Sequence, residues 1–202
     1  MVMKKQPKQE RGRERRDRIL DAVAAILIAE GERGVAMHAV AASAGASTGS
    51  MYHFFRNRDY LLEALFDRHA ATFARLSLEE QPMDRQFWRG LSAADAVHRL
   101  FGQALTYFSA NLDALHLLSR RKDRRFPDFE VRVETALALR LGADVAPAVA
   151  RTMFAVSTGT LFYLYETRTI DWQAQIASIP SVLTAYLAEQ DTTSGLNNRT
   201  DA

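Results

Sequence analysis

The chain has 202 residues, 48% of them hydrophobic and 25% charged, with no cysteine and a formal net charge of +2. Length and apolar content support one or two domains with real cores, and the lack of cysteine excludes disulfides and thiolate metal sites. No apolar run approaches the roughly 18 residues needed to span a membrane, and the basic start, Met1 to Arg18, is not followed by the uncharged apolar stretch of a secretory signal, so a soluble cytoplasmic protein is the expectation.

The charge is unevenly spread. Residues 1–60 hold 11 Lys/Arg against 7 Asp/Glu, whereas residues 61–202 hold 15 against 17. A basic first third on a slightly acidic remainder predicts a polyanion-binding end and a non-binding body. The first 18 residues alone carry eight basic and three acidic side chains. Residues 1–12 read as a basic flexible arm, of the kind that reaches DNA phosphates or the minor groove.

Apolar spacing predicts helices throughout and no strand. Ile19, Val23, Ile26 and Leu27 make one stripe on a first helix over about 13–30. Gly31 and Gly34 bracket a turn before a short second helix, about 37–44, with Met37, Val40 and Ala41 inward. Gly45 supplies the backbone angles of a tight interhelical turn, and Ser47 is a good N-cap for a third helix. Asn57 is placed to cap a fourth helix, with Asp59 in its first turn and Leu61, Leu62, Leu65, Phe66, His69 and Phe73 along it. A break at about 80–90 precedes a helix opening at Ser92 or Asp95. Residues 111–121 continue helically after a kink, and further helices are expected near 128–141, 146–169 and 172–189, about nine in all. The run Arg120 to Arg125 reads as a solvated basic loop or an anion-attracting one, and residues 190–202 as a disordered tail. The five histidines (38, 53, 69, 98, 116) show no metal-ligand spacing, no cofactor is indicated, and no nucleophile motif, phosphate loop or carboxylate constellation points to an enzyme.

The segment from Ala44 to Asp59 is the most telling. It orders a helix end, a tight turn, a short polar-aromatic helix and a basic turn, as a helix-turn-helix requires. A major groove about 12 Å wide admits a helix only if its tip is slim, and Thr48, Gly49 and Ser50 are small. Tyr52 and His53 follow as donors to phosphates or bases. Met51 and Phe55, four apart, face the core. Arg56 and Arg58 stand where the next helix begins, well placed for a phosphate oxygen. With Ser47 at the cap and His38 on the second helix, these are the candidate DNA contacts; ordinary surface positions are the plain alternative for each. The tip lacks Arg, Lys, Asn and Gln, so bidentate base readout is missing and specificity is expected to rest on few base contacts plus DNA shape.

These residues resemble the N-terminal DNA-binding domain of the TetR family of bacterial transcriptional regulators. The resemblance covers roughly residues 13–66 and rests on Val40 to Ser47, Thr48 to Phe55 and Asn57 to Leu62, in order and at the right spacing. It departs at Ala36, where the family often has a capping Thr, and at Ala46, where Val is common. The family implies an all-α fold with three N-terminal helices for DNA: a helix-turn-helix domain at 13–57, then an effector-binding and dimerisation domain at 58–189. It also implies a repressor that grips a palindromic operator on the bacterial nucleoid as a homodimer and is released by a small-molecule effector. Phe101, Leu105, Phe108, His116, Phe162 and Tyr165 are candidates to line an effector pocket between the central helices, with plain core as the alternative. Val149, Met153, Val156, Thr160 and Leu164, with Ile176, Ile179, Leu183 and Tyr186, form stripes on the last two long helices that would join the dimer. The rival reading keeps the fold and the DNA but acts through protein–protein contacts; it expects a fully packed body with no pocket.

Overall fold

The computed structural model describes residues 8–77, 82–121, 126–167 and 171–195, and among these it is helical throughout with no strand. The helices are α1 (Lys8–Glu30), α2 (Met37–Ser43), α3 (Thr48–Phe54), α4 (Arg58–Ser77), α5 (Arg85–Gly90), α6 (Ala93–Ala110), α7 (Leu112–Ser119), α8 (Pro127–Leu141), α9 (Ala146–Thr167), α10 (Trp172–Ile176) and α11 (Ile179–Thr193). The chain divides into two compact units, residues 1–71 and 72–202.

In the first unit α1 packs on α2 and α2 on α3. The core is Ile19, Leu20, Val23, Leu27, Val35, Val40, Met51 and Phe55, joined by Leu61, Leu62 and Leu65 of α4. Arg68 of α4 bonds Asp21 of α1 at 2.6 Å. The expected caps form: Asn57 Oδ1 accepts the Tyr60 amide at 3.1 Å. In the second unit Ser92 Oγ accepts the Asp95 amide while donating to the Asp95 carboxylate, a reciprocal cap that starts α6.

Three boundaries differ from the sequence expectation. First, α1 begins at Lys8, so residues 8–12 of the expected flexible arm are helical, while residues 1–7 lie outside the described residues. Second, the break before α6 contains α5, capped by Asp84, whose carboxylate accepts the Gln86 and Phe87 amides at 3.1 and 2.9 Å. Third, the expected helix over 172–189 is two helices, α10 and α11. Pro180 cannot donate to the carbonyl four residues back and its ring crowds it, so it occupies the first turn of a new helix instead. With these the described helices number eleven rather than about nine.

In the second unit α9 is central and packs on α7, α8, α10 and α11. Arg140 of α8 and Asp191 of α11 are both buried, at 4% and 3% exposure. The guanidinium meets both carboxylate oxygens, at 2.7 and 2.6 Å. Its Nη1 donates to the carbonyls of Trp88 and Leu91, at 2.5 and 3.0 Å, at the end of α5. Asp191 thus lies in the core, inside what the sequence reads as a disordered tail; residues 196–202 lie outside the described residues. Removing one partner strands a buried charge, which typically costs about 3–5 kcal/mol, whereas an apolar pair of similar volume is often neutral. Urea unfolding of Arg140→Ala and Asp191→Ala is therefore expected to show losses of about that size, with Arg140→Met/Asp191→Leu much closer to wild type.

Candidate functional site

The reading head is built from its turn outward. Gly45 has φ +59, which a side chain would strain. There the Ala46 amide donates to Ala41 and the Gly45 amide to Ala42, at 2.9 and 3.2 Å, so α2 ends in a left-handed cap that satisfies its last carbonyls. Ser47 Oγ then accepts the Ser50 amide at 3.2 Å and starts α3. Met51 and Phe55 are buried, at 0% and 3% exposure, and fix the inner face of α3.

The outer face is the sequence-predicted one. His38, Ser47, Thr48, Gly49, Tyr52, His53, Arg56 and Arg58 are all exposed, and Ser50 is half-buried. Tyr52 is 55% exposed, high for an aromatic residue whose neighbour Met51 is fully buried. Arg58 lies 3.9 Å from the Glu32 carboxylate, a loose, half-exposed pairing worth little.

The sequence pattern named no residue of α1 as a DNA contact, yet α1 reaches the head. Arg15 Nη1 donates to Ser50 Oγ at 3.4 Å, and the Arg16 guanidinium stands 5.7 Å from the centre of the Phe55 ring. Arg11, Arg15 and Arg18 fall at i, i+4 and i+7 and are exposed, so one side of α1 is a cationic stripe beside α3. The signal was present in the helical spacing of those arginines, of which only Arg11 falls in the expected flexible arm.

The second site is a cavity of about 580 Å³ within the second unit, inside the usual range for small-molecule sites. Phe101, Leu105, Phe108 and Phe162 line it as expected, joined by Phe73, Phe126, Phe129 and Phe154. His116 and Tyr165 do not. They hydrogen-bond to one another, Nδ1 to hydroxyl, and tie α7 to α9, so their polar atoms are spent on helix packing. Lys122 to Arg125 of the basic run lie outside the described residues.

The structure places most of the expected dimer stripes inside the protomer. Val149, Met153, Leu164, Ile176, Ile179 and Leu183 are buried inside the protomer, and Val156, Thr160 and Tyr186 are half-buried. An apolar stripe satisfies its own protomer's core first. The faces left exposed are Thr152, Ala155, Gly159 and Tyr163 on α9, and Val182, Ala185 and Glu189 on α11, with Ser178 just before it.

A slim, exposed polar-aromatic helix held on the buried face of a second helix, with cations on both flanks, defines a helix-turn-helix DNA-binding protein. The comparisons give the family that its N-terminal segment matches. Residues 19–65 match the family model described as bacterial regulatory proteins, tetR family. Two solved structures share the fold. One is SmeT, described as the repressor of the Stenotrophomonas maltophilia multidrug efflux pump SmeDEF, at 21% identity over 84% of this chain and 88% of that one, with a TM-score of 0.58. The other is a TetR-family member, SCO1917, from Streptomyces coelicolor A3, at 23% identity over 86% and 98%, with a TM-score of 0.52. None of the curated proteins matches the chain. The chain carries a TetR-family N-terminal domain and is a DNA-binding transcriptional regulator.

Capping differs between the two helices of the head. Ala36 stands at the N-cap of α2 with extended backbone (φ −104, ψ 144) and no side-chain bond to offer. Ala36→Thr is expected to stabilise the protein, and Ser47→Ala to destabilise it, each by about 1 kcal/mol in thermal or urea unfolding.

Proposed function

We propose that this regulator is a repressor that binds a palindromic operator as a homodimer and is released by a small molecule held in the phenylalanine cavity. The cavity is the observation that carries this reading over its rival, since a regulator acting only through protein–protein contacts would have a filled body. Coupling between effector and operator typically amounts to about 1–3 kcal/mol, and Phe73 of the cavity belongs to α4, whose earlier turns supply Leu61 and Leu65 to the core of the first unit. The role printed for SmeT, repression of an efflux pump, is consistent with this proposal. Catalysis has no part in it, and its place of action is the bacterial nucleoid.

In this reading His38, Thr48, Gly49, Ser50, Tyr52 and His53 face the groove, Ser47 offers its helix start, and Arg56 and Arg58 clamp phosphates, with Arg11, Arg15 and Arg18 extending the grip. Phosphate contacts make affinity fall with salt, by a slope of about 0.9 per neutralised phosphate. In fluorescence anisotropy with DNA from the protein's own promoter region, Tyr52→Ala/Arg58→Ala is expected to weaken binding roughly tenfold or more, and Arg15→Ala to lower the salt slope by about 1. Unchanged binding by the double variant would remove α3 from the interface.

Two heads set one helical turn apart, about 34–36 Å, match a palindrome only in a dimer. The exposed faces of α9 and α11 suit this role. Thr152, Ala155 and Gly159 are small enough for close helix approach, and Tyr163 and Val182 are large apolar groups left 66% and 52% exposed. A Cβ at Gly159 would meet nothing within 4 Å in its own chain, so Gly159→Arg/Val182→Arg should fold. Sedimentation equilibrium is expected to show a dimer for the wild type and a monomer for this variant; a dimeric variant would move the interface elsewhere.

A further inference from the structure

The chemistry of the cavity wall restricts what it can hold. Seven of the chain's eleven phenylalanines line it, and their rings form a mesh. Phe73 lies 4.5 Å from Phe126, and Phe101 and Phe129 each meet Phe154 edge-on at 5.5 Å. Offset and edge-on rings of this kind leave both faces and edges for a further ring.

The two hydroxyl groups of the wall have already spent their protons on backbone carbonyls, leaving no side-chain hydroxyl donor for a ligand. The Ser157 hydroxyl donates to the Met153 carbonyl at 2.7 Å, and Thr158 donates to the Phe154 carbonyl. No buried side-chain nitrogen or oxygen among the described residues lacks a hydrogen-bond partner. A site built for a sugar, an amino acid or a nucleotide would hold converging donors and acceptors, because a polar ligand that loses its water without replacement bonds is not retained.

The two charged residues of the lining are Glu130 and Arg151, of opposite sign. Arg151 is exposed and Glu130 is half-buried and already engaged. Neither offers a desolvated counter-charge to an ionic ligand, and an ion moved into such a wall without one pays heavily in lost hydration.

We infer that the cavity takes an uncharged, aromatic, lipophilic molecule, recognised by shape and ring contact rather than by hydrogen bonds. This rests on the reading of the cavity as the effector site, and it names the chemical class of that effector.

The test uses the full-length protein and a matched pair of probes. N-phenyl-1-naphthylamine is neutral, and 8-anilino-1-naphthalenesulfonate is the same aryl-amine frame carrying an anion; ethidium supplies a cation. Fluorescence titration is expected to show one neutral probe per chain, bound at least tenfold more tightly than either ion. Ala104→Trp and Thr158→Trp, which put bulk into the cavity from α6 and α9, should each weaken it at least tenfold while circular dichroism stays as in the wild type. Binding of either ion as tight as the neutral probe, no binding of the neutral probe, or equal binding by both folded variants would overturn the assignment. Promoter DNA added to the same titration separates the two claims. Neutral-probe binding that leaves DNA affinity unchanged would support the ligand class and overturn release by an effector. Release of DNA by a charged compound alone would overturn the ligand class and keep the effector.

Discussion

The body of this protein is organised around one buried guanidinium. Arg140 uses four of its five donors, two on Asp191 and two on the carbonyls that end α5. It therefore ties α8 both to α11 and to the end of the short helix α5. A bidentate pair fixes direction as well as distance, so α8 cannot slide along α11 without stranding both charges. That matters because the opposite end of α8 carries Phe126 at its cap and Phe129 in its first turn. Those rings pack against neighbouring rings on one side and border a cavity on the other, so they are held by fewer dispersion contacts than a filled core supplies. Directional bonds at one end of the helix add to what dispersion contacts supply at the other.

The reading head solves the reverse problem. It needs its active face bare, so all its rigidity must come from behind. Val40, Ala41, Met51 and Phe55 supply this with almost no exposed area, and Gly45 sets the crossing with a turn whose amides are all used. The outward face is then free to be small. Thr48 to His53 carry no long amide or guanidinium, the groups that make bidentate base contacts. In the proposed operator complex, binding then rests on the cations around the tip and on how readily a DNA sequence adopts the fitting groove shape. Arg15, bonded to Ser50, lies at the border between these two contributions.

What the sequence makes legible follows from where the physics is local. The head is decided within about three turns of chain: a glycine for the turn, serine and asparagine caps, and an apolar pair four apart. Each of these is visible as a residue type at a spacing. Four aromatic and aliphatic residues of the cavity were legible for a related reason, since they lie on the inward stripe of α6 and on α9. The rest required tertiary information. Phe73 and Phe154 look like any core residue, and nothing in the chain tells a filled core from a hollow one. His116 and Tyr165 are 49 positions apart, and only the fold spends them on each other. The Arg140–Asp191 pair spans 51 positions. Its one sequence clue is a charge in phase with Val133, Ala136 and Leu137, matched by an aspartate in phase with Leu183 and Leu187.

The dimer stripes show why periodicity stops short of function on the longest helices. α9 has three tasks around its circumference. Val149, Met153 and Leu164 fill the protomer core; Phe154, Thr158 and Phe162 face the cavity; Thr152, Ala155 and Tyr163 face outward, with Gly159 exposed at the border of the cavity. All three sets are apolar or small, so a helix with apolar residues on every side shows no contrast to read. Hydrophobicity alone selects the most apolar stripe, and that is the one the protomer buries for itself. A partner-facing surface must survive in water before assembly, which favours alanine, glycine, threonine and a tyrosine with its hydroxyl over leucine and isoleucine. The mark of an outer face on such a helix is therefore a run of small residues in register, offset by about a third of a turn or more from its greasiest side.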